Sequence, residues 1–197
     1  MVLDIRSPWV FAAGHPRGAV NIMFSKDELA YRAPQVLSPG TPVILLGQNE
    51  NEVKVAQHIL QRAAGIDVLG FIEGGFEAWT AARLPTDRIG EMTIHELRAM
   101  RERGDAITVI DVRDQEEWQS GHIPHSLHFP LSELLSQTDR VPKDKPLALI
   151  CAAGNRSSTA ASVLRRHGVE DLYNVLEGTT GWLHAGYAVE TAEASPA

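Results

Sequence analysis

The sequence predicts an α/β protein made of two copies of one module, each a mainly parallel sheet with helices on both faces. Two observations carry that expectation. Short apolar runs suited to buried strands alternate with helix-like segments, the pattern of a parallel sheet covered on both sides. Landmarks also recur in one order along the 197 residues. Asp4-Ile-Arg6 returns as Asp111-Val-Arg113, and Gly14-His15 as Gly121-His122, both displaced by 107 positions. Pro42 returns as Pro146 at an offset of 104, and Gly65 and Trp79 return as Gly168 and Trp182 at 103. Preserved order with a slowly drifting offset marks an internal duplication.

In the first copy, Val43 to Leu46 and Val68 to Ile72 read as strands and Glu52 to Ala63 as a helix. The second copy opens on Thr93-Ile-His-Glu96, a capping box, with Met92 and Leu97 placed as a hydrophobic staple. That helix stops near Gly104, and Ile107 to Asp111 reads as a buried strand. Asp114 to Gln119 suits a short helix ended by Gly121, and Leu131 to Gln137 a further one. Pro146 to Ile150 and Leu172 to Leu176 are the remaining strands, and a last helix includes Trp182. Eighteen residues from Thr93 to Ile110 precede Asp111, whereas three precede Asp4. The first copy is therefore expected to be a truncated module spanning 1–85, and the second an intact one spanning 92–190. Thr86 to Glu91, following Pro85, is the expected linker, and the small polar tail Thr191 to Ala197 is expected to fray.

Composition narrows the function classes. A hydrophobic content of 44% suits a packed core, and a formal net charge of −7 argues against a nucleic-acid surface. No apolar run reaches the length of a membrane span, and the start of the chain does not read as a signal peptide. The one cysteine excludes an intramolecular disulfide and fits a reducing compartment, so a cytoplasmic protein is expected.

That cysteine, Cys151, falls where an apolar strand ends and a helix begins. A short loop wrapping from strand to helix turns successive N–H groups inward and forms an anion-binding nest, to which the helix N-terminus adds partial positive charge. In Cys151-Ala152-Ala153-Gly154-Asn155-Arg156-Ser157, Gly154 permits a positive-φ turn and the alanines keep the bowl open. Arg156 supplies a fixed charge with a fork suited to oxyanions. A thiol in such surroundings ionises readily and is a candidate nucleophile.

Together Asp111-Val-Arg113, Glu117-Trp118, Gly121-His122-Ile-Pro124, the cysteine loop and Glu177-Gly178 with Trp182 resemble a rhodanese domain over about Thr93 to Ala188. Gly14-His-Pro-Arg-Gly-Ala-Val-Asn21 and Glu73-Gly-Gly-Phe-Glu-Ala-Trp79 extend the resemblance to the first copy. The resemblance implies two rhodanese-like modules and a sulfurtransferase without cofactor. Cys151 would take a sulfane sulfur from a small anionic donor, hold it as a persulfide in the cradle of Ala152 to Ser157, and pass it to a thiol, cyanide or protein acceptor. Four residues separate Cys151 from Arg156, which resembles the sulfur-transferring members; phosphatases and arsenate reductases of related fold carry a longer loop. The loop also departs from the Cys-Gly-Ser-Gly-Val-Thr pattern of mercaptopyruvate sulfurtransferases and from the Lys-bearing loop of the best-known thiosulfate enzymes. A non-catalytic binding or redox-sensing module is the other alternative.

The first copy places Gly47 where Cys151 stands and Glu52 opposite Arg156. With no nucleophile and two carboxylates that would repel an anion, it is expected to be inert, supporting the second module or binding a partner. Four other features are given structural readings. His122, His125 and His128 lie on a Pro-bounded extended loop with no completing ligand, so no metal is expected. Asp111, Arg113 and Glu117 are expected to form a structural ion pair between strand end and helix. Arg165-Arg166-His167 suits a helix C-terminus, and Trp79 and Trp182 are expected in the core.

Overall fold

A computed structural model describes residues 1–63 and 65–191. The chain divides into two compact units, Met1–Ile89 and Gly90–Ala197. In the first, β1 (Val2–Asp4), α1 (Pro8–Ala13), β2 (His15–Pro16), β3 (Val20–Asn21), α2 (Leu29–Val36), β4 (Pro42–Leu46), α3 (Glu50–Ala63), β5 (Asp67–Phe71), α4 (Gly75–Ala81) and β6 (Thr86–Asp87) follow in order. The second contains β7 (Gly90–Met92), α5 (Ile94–Arg103), β8 (Thr108–Asp111), α6 (Gln115–Ser120), β9 (Leu127–His128), α7 (Leu131–Gln137), β10 (Leu147–Ile150), α8 (Asn155–Arg166), β11 (Leu172–Val175) and α9 (Gly178–His184).

The main sheets run β3-β1-β4-β5 and β7-β11-β10-β8-β9, with every neighbouring pair parallel. The first four strands correspond to β9-β8-β10-β11, so the duplication read in the sequence is a duplication of topology. The pairing register of the two sheets differs at one point. Val43 pairs with Val68 but Ile44 with Gly70, so Leu69 bulges out of β5. Beyond that bulge Leu45 pairs with Phe71, as Leu149 pairs with Asn174. Phe71 and Asn174 are therefore equivalent positions.

Strand β10 is buried on both faces, as the central strand of a parallel sheet must be. Alternate side chains serve opposite layers: Ala148 and Ile150 join Ile94 and Leu97 of α5 and Trp182 of α9 in one core. On the other face α8 packs on β10 and β11 beside α7. The capping box at Thr93 forms, with Glu96 N–H donating to Thr93 Oγ1 at 3.1 Å and Thr93 N–H to Glu96 Oε2 at 2.7 Å. The short edge strands β3 and β9 gave no sequence signal, because two residues are too few for a period.

Two expectations change. Thr86 to Glu91 is not a free linker. Thr86–Asp87 pairs antiparallel with His15–Pro16, and Gly90–Met92 pairs parallel with β11, because the extended backbone finds partners for its N–H and C=O groups on both sides. Trp79 is only half-buried, its Nε1–H donating to Pro85 O at 3.0 Å, whereas Trp182 is buried. The tail expected to fray lies outside the described residues beyond Thr191.

A buried ion pair closes the end of the second-from-edge strand in each unit. Arg113 Nε and Nη2 donate to Asp111 at 3.0 and 2.7 Å, and Nη2 also donates to Gly121 O at 2.8 Å. Arg6, Asp4 and Gly14 repeat the arrangement. Glu117, expected in this pair, is instead bound elsewhere. The second contact of Arg113 ties the end of β8 to the glycine that ends α6. Asp111→Ala should strand a buried guanidinium and cost about 3–5 kcal/mol, seen as a lower urea midpoint for the second unit.

Candidate active site

With all strands of the sheet parallel, their C-terminal ends lie along one edge. The chain leaves β8 toward β9 on one side and returns to β10 on the other, so the order reverses between β8 and β10. Ligands of open α/β sheets bind at such a reversal. Cys151 is the first residue after β10, and it is 1% exposed.

The loop from Cys151 turns at Gly154, whose φ of +91° lies in the glycine-favoured region, and α8 begins at Asn155. Two donors reach the sulfur. Gly154 N–H lies 3.2 Å from Cys151 Sγ, and Ser157 Oγ lies 3.4 Å from it. Ala153 is exposed, while Ala152 and Asn155 are half-buried. Asn155 O accepts from Thr159 Oγ1 at 3.3 Å, within the helix.

The outer side of the loop explains why its amides can face inward. Cys151 O accepts from Thr179 N–H at 2.8 Å and Ala152 O from Thr180 N–H at 3.1 Å, so the first turn of α9 holds both carbonyls away from the sulfur. Gly178 makes this approach possible. Its φ is +58°, and a Cβ there would stand 2.3 Å from Cys151 O and 2.4 Å from the Ala152 backbone. The sequence showed Gly178 only as part of a motif; a glycine opening a helix after a strand was the signal of close backbone approach.

Arg156 is not a free fork. Its Nη2 donates to Glu117 Oε1 at 2.7 Å, its Nη1 donates to Glu117 Oε2, and Nη1 also lies 3.5 Å from Asp114 Oδ2. These hydrogen bonds hold the Glu117 carboxyl below the usual carboxylate range and push the Arg156 guanidinium further up. Glu117 thus spans from α6 to α8, while its Oε2 also accepts the Asp114 N–H at 3.2 Å. The resemblance implied that Glu117 joins Asp111 and Arg113; the fold brings it to Arg156 instead. Sequence reasoning missed Asn174, whose Oδ1 accepts from Ser157 Oγ at 2.6 Å.

The histidines do not converge as ligands. His122 and His128 stack on Trp118, with ring centroids 3.8 and 4.8 Å away, and bond through ring nitrogens to Trp118 O and Arg113 O. His125 is exposed and lies 3.8 Å from the Glu190 carboxylate, which also stands 3.9 Å from His122.

At the same point of the first unit the bowl has no thiol and is filled with hydrocarbon. A Cβ on Gly47 would lie 2.5 Å from Val53 Cγ2 and 3.3 Å from Ile5 Cδ1. Val53 holds the place of Ser157. A cleft of about 520 Å³ remains, lined by Gly47, Asn49, Glu50, Val53, Phe71 and Phe76 among others.

The fold and the loop at its strand ends have a family. The chain belongs to the rhodanese-like domain family, whose model matches residues 1–82 and again 93–185. Among similar proteins, thiosulfate sulfurtransferase GlpE of Pseudomonas savastanoi pv. phaseolicola is 37% identical over 98 residues, 50% of this chain and 90% of that protein. YrkF of Bacillus subtilis is 28% identical over 94 residues, and the chain spans about half of its length, 51%. A solved rhodanese-related protein of Thermoplasma volcanium superposes with a TM-score of 0.48 at 34% identity, over 51% of this chain and 97% of that one.

Gly178→Ala should push the loop carbonyls away and disorder the cradle, lowering the alkylation rate of Cys151 by about tenfold or more, since any adjustment must move backbone; a wild-type rate would show that the α9 contact is dispensable. Acid tests the Glu117 clamp. Because its carboxyl is depressed in the fold, the stability it gives is complete above the ordinary glutamate value of about 4.3 and disappears as pH falls through the lower folded value. The difference in urea midpoint between wild type and Glu117→Gln should therefore be constant near neutrality and vanish in acid.

Proposed function

We propose that this protein is a sulfurtransferase that carries a sulfane sulfur on Cys151, with thiosulfate or a similar small anion as donor. One observation weighs most: the only thiol of the chain lies at the floor of a loop whose carbonyls are turned outward, with the Gly154 N–H and the Ser157 hydroxyl within reach of its sulfur. Similarity to a thiosulfate sulfurtransferase over 98 residues supports the same reading.

The reaction is a double displacement. The Cys151 thiolate attacks the outer sulfur of thiosulfate, a sulfur–sulfur bond forms, and the donor's own sulfur–sulfur bond breaks. Sulfite leaves with the electron pair. A thiolate, cyanide or protein acceptor then attacks the outer sulfur of the persulfide and the Cys151 thiolate is released. No redox partner or cofactor enters the balance. The terminal sulfur keeps a negative charge throughout, so donors fixed in advance stabilise it without reorganising. Ala152, Ala153, Gly154, Asn155 and Ser157 form the cradle in this reading. Arg156, bound by Glu117 and Asp114, holds the loop's far side and supplies positive charge for the donor, softened by its carboxylate partners.

The first unit, roughly 1–85, is inert in this proposal and the second, 92–190, catalytic. Val53 and Ile5 leave no room for a side chain at Gly47. The short loop between Cys151 and Arg156 favours sulfur over phosphate. Among the described residues no helix is long and apolar enough to cross a membrane, and a cytoplasmic setting suits a thiol that must stay reduced.

Incubation with thiosulfate followed by intact-mass measurement should show the gain of one sulfur atom, absent in Cys151→Ser. No gain with thiosulfate or any other sulfane donor would overturn the assignment, and hydrolysis of an aryl phosphate would move it to the phosphatases.

A further inference from the structure

Behind Cys151 lies a polar line of which the reaction as written uses only the Ser157 end. Ser157 is fully buried and Asn174 is 1% exposed, both within the apolar body of the second unit. Ser157 Oγ stands 2.6 Å from Asn174 Oδ1 and 3.4 Å from Cys151 Sγ. A serine hydroxyl has one proton and serves one acceptor at a time. Given to Asn174, it is withheld from the sulfur. The other end of the amide is as informative: Asn174 Nδ2 is buried and has no hydrogen-bond partner among the described residues, which is uncommon enough in a folded protein to need a reason.

One rearrangement relieves Nδ2 and frees the Ser157 proton, leaving the amide oxygen, the less demanding end, in the unpartnered place. A half-turn of the amide exchanges Oδ1 and Nδ2 and leaves the outline of the side chain unchanged. Nδ2 then donates to Ser157 Oγ, and the Ser157 proton turns to Cys151. The first orientation suits a neutral thiol, which needs no donor from Ser157. The second suits an anionic sulfur, whether thiolate or persulfide, for which a hydroxyl donor is worth more than one spent on an amide.

The first unit supplies an internal comparison. The positions of Cys151, Ser157 and Asn174 are held there by Gly47, Val53 and Phe71, the last fixed as an equivalent by strand register rather than by counting. All three polar members are replaced together. The Asp4–Arg6 pair, which serves the fold, is kept.

We infer that Asn174 is a positioning residue for Cys151: its amide orients the Ser157 hydroxyl so that the proton points at the sulfur when the sulfur carries charge. The inference rests on the reading of Cys151 as a nucleophile, but not on the identity of its donor.

Alkylation of the full chain by iodoacetamide at fixed pH tests it, with the ultraviolet absorbance of the thiolate recorded alongside. Asn174→Leu and Ser157→Ala should each slow alkylation by about tenfold or more and lower the thiolate absorbance, as expected for loss of a hydrogen bond to a charged group. Because Asn174 acts through Ser157, the double variant should be no slower than Ser157→Ala. A purely structural asparagine would make the two losses multiply and would leave the absorbance of the folded variants unchanged; either result overturns the inference. If Asn174→Leu does not fold, Ser157→Ala decides: wild-type reactivity there excludes the relay. A protein that fails to take sulfur from thiosulfate yet shows this pattern would lose its proposed function and keep its relay.

Discussion

The site depends on two backbone hydrogen bonds that do not touch the sulfur. Thr179 and Thr180 draw the Cys151 and Ala152 carbonyls to the start of α9, and a peptide group that shows its oxygen to one side shows its N–H to the other. In the proposed reaction the amides of those two peptide groups would then face the sulfur. Gly178 is the enabling residue for the two bonds, since backbone at such close range tolerates no Cβ.

Charge at the site is arranged on a similar plan. Arg156 reaches back to Glu117 on α6, and α6 is itself fixed through Gly121 to the Asp111–Arg113 pair at the end of β8. A line of ion pairs and backbone contacts thus connects β8 and α8 on the two sides of the crevice at the sheet reversal. Asp111 and Arg113 take no part in the proposed chemistry, yet they set where Glu117 stands and so where Arg156 is held.

Much of this was legible in the sequence. The duplication, the strand–helix alternation, the capping box at Thr93 and the place of Cys151 all follow from local pattern, because each is determined within a few residues. What sequence reasoning missed depends on contacts far apart in the chain. Glu117 and Arg156 are 39 positions apart, and nothing local says that they meet. Asn174 is an asparagine in an apolar strand, a clear anomaly in hindsight, but its partner Ser157 lies across a helix crossover. Thr86 to Glu91 read as a linker because short edge strands carry no periodicity. The bulge at Leu69 leaves no trace in the repeat offset, which is 103 at both Gly65 and Trp79.

The depth of Cys151 has a consequence for traffic through the site. At 1% exposure the bare sulfur can be met only by something slender enough to enter the bowl. Addition of one sulfur extends the side chain by about 2 Å, the length of a sulfur–sulfur bond, and moves the electrophilic atom outward. In the proposed reaction the loading donor would therefore have to be slender, whereas the outer sulfur of a persulfide would come within reach of bulkier thiols as well as small acceptors. That asymmetry needs no moving part.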